Sequence, residues 1–123
     1  MRYISIDGDD VGRKITACYL SNDEKKLREI SKGLEISTGE ISSLLESLRF
    51  NILFCAADGV VASTEEAVDF PSLFKKINSL APSGISYSAG IGNNLREAYI
   101  ALQAAKSNGK NCFYEYSEII LAQ

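Results

Sequence analysis

Two short acidic stretches and one basic one carry the residue types from which chemistry could be built. Asp7-Gly8-Asp9-Asp10 follows an apolar run near the start, Asp58-Gly59 lies between two apolar runs in the middle, and Lys106 and Lys110 frame a polar stretch near the end. Two facing carboxylates and a backbone carbonyl, here Asp7, Asp58 and the carbonyl of Gly8, are the hard oxygen ligands Mg²⁺ takes when substrate phosphates complete its shell. The plainer reading makes Asp7 to Asp10 a solvated acidic turn and Asp58 an ordinary turn residue. What joins the acids is their expected position at the ends of neighbouring strands. Lys106 and Lys110 suit a helix C-terminus as caps, or a triphosphate tail as contacts. The chain has no histidine. That excludes His-based acid–base catalysis, Ser-His-Asp and Cys-His nucleophile systems and nearly all zinc sites, and leaves carboxylates, lysines, hydroxyls or an oxygen-bound metal.

The rest of the composition is that of a globular protein. At 123 residues, 46% hydrophobic and 24% charged, the chain is expected to form a single domain, residues 1–123, with a real core. A net charge of −3 supplies no basic field for holding nucleic acid. No apolar run approaches a membrane span and no signal peptide is evident, so a cytoplasmic location is expected. Cys18, Cys55 and Cys112 form no CxxC pair, and Cys55 and Cys112 sit in apolar runs, which predicts buried, reduced thiols.

These candidate residues need elements to position them. Arg2 to Ile6 reads as a first strand ending at Asp7, and Arg13 to Leu20 as a short helix. Ser21 with Glu24 has capping-box spacing, and Leu27, Leu34, Ile41 and Leu48 repeat every seven residues, which predicts a long amphipathic helix over about 22–48. Gly33 and Gly39 weaken that helix and allow a break between 36 and 39. Asn51 to Ala56 and Val60 to Ala62 flank Asp58-Gly59, the dipeptide of a tight β-hairpin, with Gly59 expected in the positive-φ position. Ser63 with Glu66 is expected to cap a helix ending near Leu80. A strand over 85–91, a helix capped by Asn94 with Gly109 just past its end, and a strand over 112–116 complete the order. Residues 118–123 carry no clear signal. Strand, helix, hairpin, helix, strand, helix, strand is a βαββαβ core with an added helix–strand unit, an α+β ferredoxin-like palm with a mixed sheet covered by helices. In that topology the end of the first strand lies beside the hairpin, so Asp7 and Asp58 converge.

The stretches IDGDDVG, CAADGVV, SYSAGIG and ALQAAKSNGKNCFYEY resemble the GGDEF-like nucleotidyl-cyclase and polymerase-palm superfamily, and within it the minimal CRISPR polymerases, from Tyr3 to Tyr116. The resemblance implies that Asp7 and Asp58 are the metal-ligand and catalytic acids, with the Gly8 carbonyl as third ligand and Asp9 or Asp10 as a supporting acid. It also implies that Lys106 and Lys110 contact phosphate and that Ala56, Ala57 and Gly59 border the nucleotide. The implied mechanism is two-metal phosphoryl transfer with Mg²⁺ or Mn²⁺, joining NTPs, ATP being favoured, into a cyclic oligonucleotide with release of pyrophosphate. Two sites facing across a homodimer would close the ring, and a separate effector protein in anti-phage defence would read the product. One departure stands out. Where those families carry Gly-Gly-acid-acid, this chain has Ala56-Ala57-Asp58-Gly59: the second acid is missing, and methyl groups stand where substrate would approach. Class III adenylyl cyclases also manage with one acid there.

Three other readings are open. A phosphoacceptor receiver domain also has an acid pair after the first strand, Asp9-Asp10, and an acid about 50 residues on, Asp58, and Ser86 or Ser88 with a late lysine could complete its set. It requires Asp58 at a strand-to-helix junction in place of an antiparallel hairpin. A catalytically silent nucleotide-binding dimer keeps the fold and drops the chemistry. Hydrolysis of GTP, as in GGDEF-like GTP cyclohydrolases, would differ in its product.

Overall fold

The computed structural model describes residues 1–121. Its elements are β1 (Arg2–Gly8), α1 (Val11–Leu20), α2 (Glu24–Ser47), β2 (Asn51–Ala56), β3 (Gly59–Thr64), α3 (Phe70–Ser79), β4 (Tyr87–Gly92), α4 (Leu95–Ser107), β5 (Phe113–Glu115) and α5 (Tyr116–Leu121). The five strands form one sheet in the order β2-β3-β1-β4-β5. β1 is antiparallel to both β3 and β4, β2 is antiparallel to β3, and β5 is parallel to β4. That is the expected ferredoxin-like arrangement with an added helix–strand unit. The antiparallel pairing around Asp58 excludes the receiver fold.

Period-two alternation sorts the strand residues onto the two faces. Ile4, Ile6, Val60, Ala62, Ala89 and Ile91 pack with Ile41 and Leu45 of α2 and with Phe70, Leu73 and Ile77 of α3. Fully burying an Ile or Leu side chain contributes about 1.5–3 kcal/mol, so this face holds the fold together. The opposite face of β1 and β4 is covered by α4, which runs back over the sheet. Gly90 makes that possible: a Cβ there would sit inside the van der Waals radii of the Leu102 amide nitrogen and the Ala98 carbonyl oxygen. α4 therefore lies directly on the β4 backbone and delivers its last turn, with Lys106, to the end of β1.

α2 is continuous, without a break at Gly39. Its Ile30 and Leu34 pack with Val11, Cys18 and Ile85, while Ile41 and Leu45 reach the sheet. Its N-cap is Asp23, whose carboxylate accepts from the Lys26 amide at 3.0 Å. The expected cap, Ser21, instead ends α1 and donates its hydroxyl to the Ala17 carbonyl at 2.8 Å. Ser63 is not a cap either. It pairs with Tyr3 within β3, and α3 begins after Asp69, which accepts from the Ser72 amide at 3.2 Å. Pro71 suits that first turn. The strand wins at Ser63 because cross-strand bonds to β1 satisfy its backbone. The Asn94 cap is as expected, with its side chain accepting from the Glu97 amide at 2.8 Å.

All three cysteines are free thiols, but only Cys18 is buried. Cys55 is exposed because β2 is an edge strand, and Cys112 is half-buried. The last strand ends at Glu115, one residue short of the expected 116; of the unassigned tail, residues 118–121 belong to α5, and residues 122–123 lie outside the described part. Among the described residues no helix is long and apolar enough to cross a membrane.

Candidate active site

The register of the sheet brings the acids together. Asp7 pairs with Gly59 on one side and with Ser88 on the other. One residue on, the Gly8 amide donates to the Asp58 carbonyl at 3.0 Å, closing the hairpin against the end of β1. Gly8 has to be small: a Cβ there would lie 2.8 Å from Val11 Cγ2 and 3.3–3.4 Å from the Asp58 side chain. The Asp58 carboxylate thus rests against the Gly8 backbone, beside Asp7.

The hairpin differs in detail from the expected Asp-Gly apex. Ala56 pairs with Gly59, so the two turn residues are Ala57 and Asp58. The left-handed residue is Ala57, at φ 50°, and Gly59 is the first residue of β3. A non-glycine residue in that region stores strain, as is common where a side chain must be presented at a site. The absence of a side chain at Gly59 leaves space beside Asp7: a Cβ would lie 3.5 Å from Asp7 Oδ1.

The two lysines reach this corner differently. Lys106 Nζ donates to the Gly8 carbonyl at 2.8 Å, to the Asp7 carbonyl at 3.3 Å and to Asp9 Oδ1 at 2.8 Å, and lies 3.2 Å from Asp7 Oδ2. The Gly8 carbonyl is therefore shared between Lys106 and any cation that would use it. Lys110 pairs with Asp10, which also lies 4.0 Å from Arg13. Lys110 and Asn111 are both left-handed, at φ 64° and 51°. The Lys110 amide donates to the Ala105 carbonyl at 3.0 Å, the Schellman bond that ends α4.

Asp7, Asp9 and Asp10 are adjacent in sequence and unlike in environment. Asp7 is half-exposed, and its pKa is raised by burial and by the nearby Asp58 charge, only partly opposed by Lys106. Asp9 is buried, and burial alone would raise its pKa. Hydrogen bonds from Lys106, Ser86, Ser88 and the Asn111 amide outweigh that and hold it below the usual carboxylate range. Asp10 is lowered mainly by its bond from Lys110. At the level of sequence Ser86 and Ser88 had a site role only in the receiver reading, which the sheet pairing excludes. The signal was there in their i, i+2 spacing, which sets two hydroxyls on one side of a strand next to an acidic loop.

Beside the hairpin a cleft of about 610 Å³ opens between α1 and α2. Its floor is Cys55, Ala56, Ala57 and Asp58, and its walls carry Val11, Ile15 and Leu27 with Ser31 and Glu35. It is mainly apolar, with a few polar groups and the Asp58 carboxylate at one end, and its size suits a nucleoside.

A divalent cation fits the residues present. Asp7, Asp58 and the Gly8 carbonyl are hard oxygen donors, and burial together with the nearby Asp58 charge raises the pKa of Asp7 in spite of Lys106 beside it. Among the described residues no group of three or more acid, cysteine or histidine side chains is arranged to hold a metal. Two acids with a carbonyl make a site that needs substrate oxygens to complete it.

The fold is that of the GGDEF-like palm. The chain is similar to the active GGEEF domain of a diguanylate cyclase from Vibrio cholerae, with TM-score 0.63 and 18% identity over 94% of this chain and 81% of that one. It is also similar to a diguanylate cyclase/phosphodiesterase from Caldicellulosiruptor saccharolyticus, with TM-score 0.52 and 18% identity over 93% and 74%. No curated protein matches the chain. Residues 3–116 match the minimal CRISPR polymerase domain, and the chain belongs to that family. Membership supports a nucleotide cyclase- or polymerase-like role.

Proposed function

We propose that this chain is a single-domain nucleotidyltransferase that joins NTPs, with ATP favoured, into a cyclic oligonucleotide with release of pyrophosphate. The observation that carries the reading is the meeting of Asp7, the Gly8 carbonyl and Asp58, with Asp58 at one end of a nucleoside-sized cleft and Lys106 bonded to the Gly8 carbonyl.

Asp7, Asp58 and the Gly8 carbonyl would hold Mg²⁺ or Mn²⁺, which supplies acidity for the attacking ribose hydroxyl and neutralises the triphosphate and leaving pyrophosphate. Lys106 and Lys110 approach from the end of α4 as phosphate contacts, each now paired with an acid that keeps it in place. The nucleoside lies in the cleft against Ala56 and Ala57, whose methyl groups set how closely it approaches the hairpin. Gly59 leaves room beside Asp7 for a phosphate oxygen or solvent. These parts act by position and charge, which is what phosphoryl transfer requires of a protein.

Ring closure needs a second site. The exposed residues Leu53 and Phe54, on the edge strand that leads into the hairpin, support a homodimer in which two hairpins face each other. A cytoplasmic location, an effector that reads the product, and a part in CRISPR-related defence complete the proposal. The missing second acid at Gly59 motivates the alternative, a silent nucleotide-binding dimer. Purified protein with Mg²⁺ or Mn²⁺ and each NTP, followed by pyrophosphate release and product mass, separates the two. A cyclic product that disappears with Asp58→Ala supports the synthase. Tight NTP binding without product supports the silent module.

A further inference from the structure

The Asp9 carboxylate is 4% exposed, and both its oxygens are occupied by the protein. Oδ1 accepts from Ser88 Oγ at 2.7 Å and from Lys106 Nζ at 2.8 Å. Oδ2 accepts from Ser86 Oγ at 2.6 Å and from the Asn111 amide at 2.9 Å. Donors from β4, the segment before it, α4 and the loop after α4 fill the roughly four acceptor sites of a carboxylate. No lone pair is left for a metal. The Asp9 amide also donates to the Ser86 carbonyl at 2.9 Å, so the residue is fixed by backbone as well as by side chain. Lys106, by contrast, is a long side chain whose ammonium has many positions open to it unless something holds it.

We propose that Asp9 is a positioning residue: anchored by Ser86, Ser88 and the Asn111 amide, it holds the Lys106 ammonium over the Gly8 carbonyl and Asp7, oriented for incoming phosphate, and binds no metal itself. The phosphate partner rests on the nucleotidyl-transfer reading above; the aiming of Lys106 does not. Holding the lysine beforehand lowers the ordering cost of binding. A staple that only ties β1 to β4 and α4 would leave Lys106 free to act without it.

Three readouts on the full chain test this. The first is ¹⁵Nζ relaxation of Lys106 by NMR. It is expected to report a rigid ammonium in the wild type and a mobile one in Ser88→Ala, a variant that keeps every charge. The second is Mn²⁺ affinity without nucleotide, by electron paramagnetic resonance, in Asp9→Asn. A loss of up to about a hundredfold fits a positioning acid, and a larger loss makes Asp9 a ligand and overturns the proposal. The third is ATP affinity in a double-mutant cycle. Ser88→Ala alone is expected to weaken binding about threefold to tenfold, and Ser88→Ala with Lys106→Met no more than Lys106→Met alone. Additive losses, or an unchanged Lys106 in Ser88→Ala, overturn the proposal. Should the wild type bind neither Mn²⁺ nor ATP while Ser88→Ala still frees Lys106, the nucleotidyl-transfer reading fails and the aiming role stands.

Discussion

Lys106 and Asp9, 97 residues apart in the chain, form an ion pair 2.8 Å long in which the acid is almost sealed from water and the base still reaches the site. The same ammonium donates to the Gly8 carbonyl at 2.8 Å, so the end of α4 and the end of β1 are held as one unit. The chemistry proposed for Asp7 and Asp58 depends on that unit keeping its shape.

Asp58→Ala is expected to leave the fold intact, because the bond that closes the hairpin on β1 uses the Asp58 carbonyl rather than its side chain. Melting temperature should stay within a few degrees of the wild type, while pyrophosphate release falls by about a hundredfold or more. A variant that unfolds, or that keeps full activity, contradicts this assignment.

Asp7→Asn should make the protein more stable and less active. Burial and the Asp58 charge raise the pKa of Asp7, so the folded state disfavours its ionised form. Removing the charge relieves that penalty at pH 7, and thermal melts should shift up by about 1–3 °C, a trade of stability for function. A lower melting temperature would show that the Lys106 contact outweighs the repulsion.

Asp9 sets the acid limb of stability. Its folded pKa lies below its unfolded value of about 3.9, so its contribution is present above that value and is lost as pH falls through the folded pKa. Urea midpoints measured from pH 7 down to pH 2 should fall below about pH 4 in the wild type and fall less in Asp9→Asn. Equal slopes would place the acid sensitivity elsewhere.

Gly59→Asp restores an acid at the position where the related hairpins carry their second one. The site has room for its Cβ, 3.5 Å from Asp7 Oδ1 and from the Ile6 carbonyl. Mn²⁺ affinity in the presence of ATP should rise by about threefold or more, read by electron paramagnetic resonance, as a further oxygen ligand joins the site. Unchanged affinity would mean that this carboxylate does not reach the ion.

Gly90→Ala should be severely destabilising. The added methyl meets the backbone of α4 at Leu102 and Ala98, which cannot move aside as a side chain can. A loss of about 3 kcal/mol or more by urea denaturation, or no folded protein, is expected. Wild-type stability would show that α4 does not lie on β4 as described.

What the sequence determined was carried by local signals: the order of elements, the hairpin around Asp58, the Asn94 cap, the end of α4 at Lys106, and the absence of histidine. From strand order alone, Asp7 and Asp58 had to meet. Tertiary structure decided which acid does what. Asp7 and Asp9 are the same residue type two positions apart, yet Asp7 stays half-exposed while Asp9 is buried under Ser86, Ser88 and Asn111. Those partners lie 77, 79 and 102 residues away, beyond any capping box or periodicity. The same reason moved the α3 cap from Ser63 to Asp69 and left Cys55 exposed. A cap signal spans four residues, whereas strand pairing and edge position are settled only when distant segments meet.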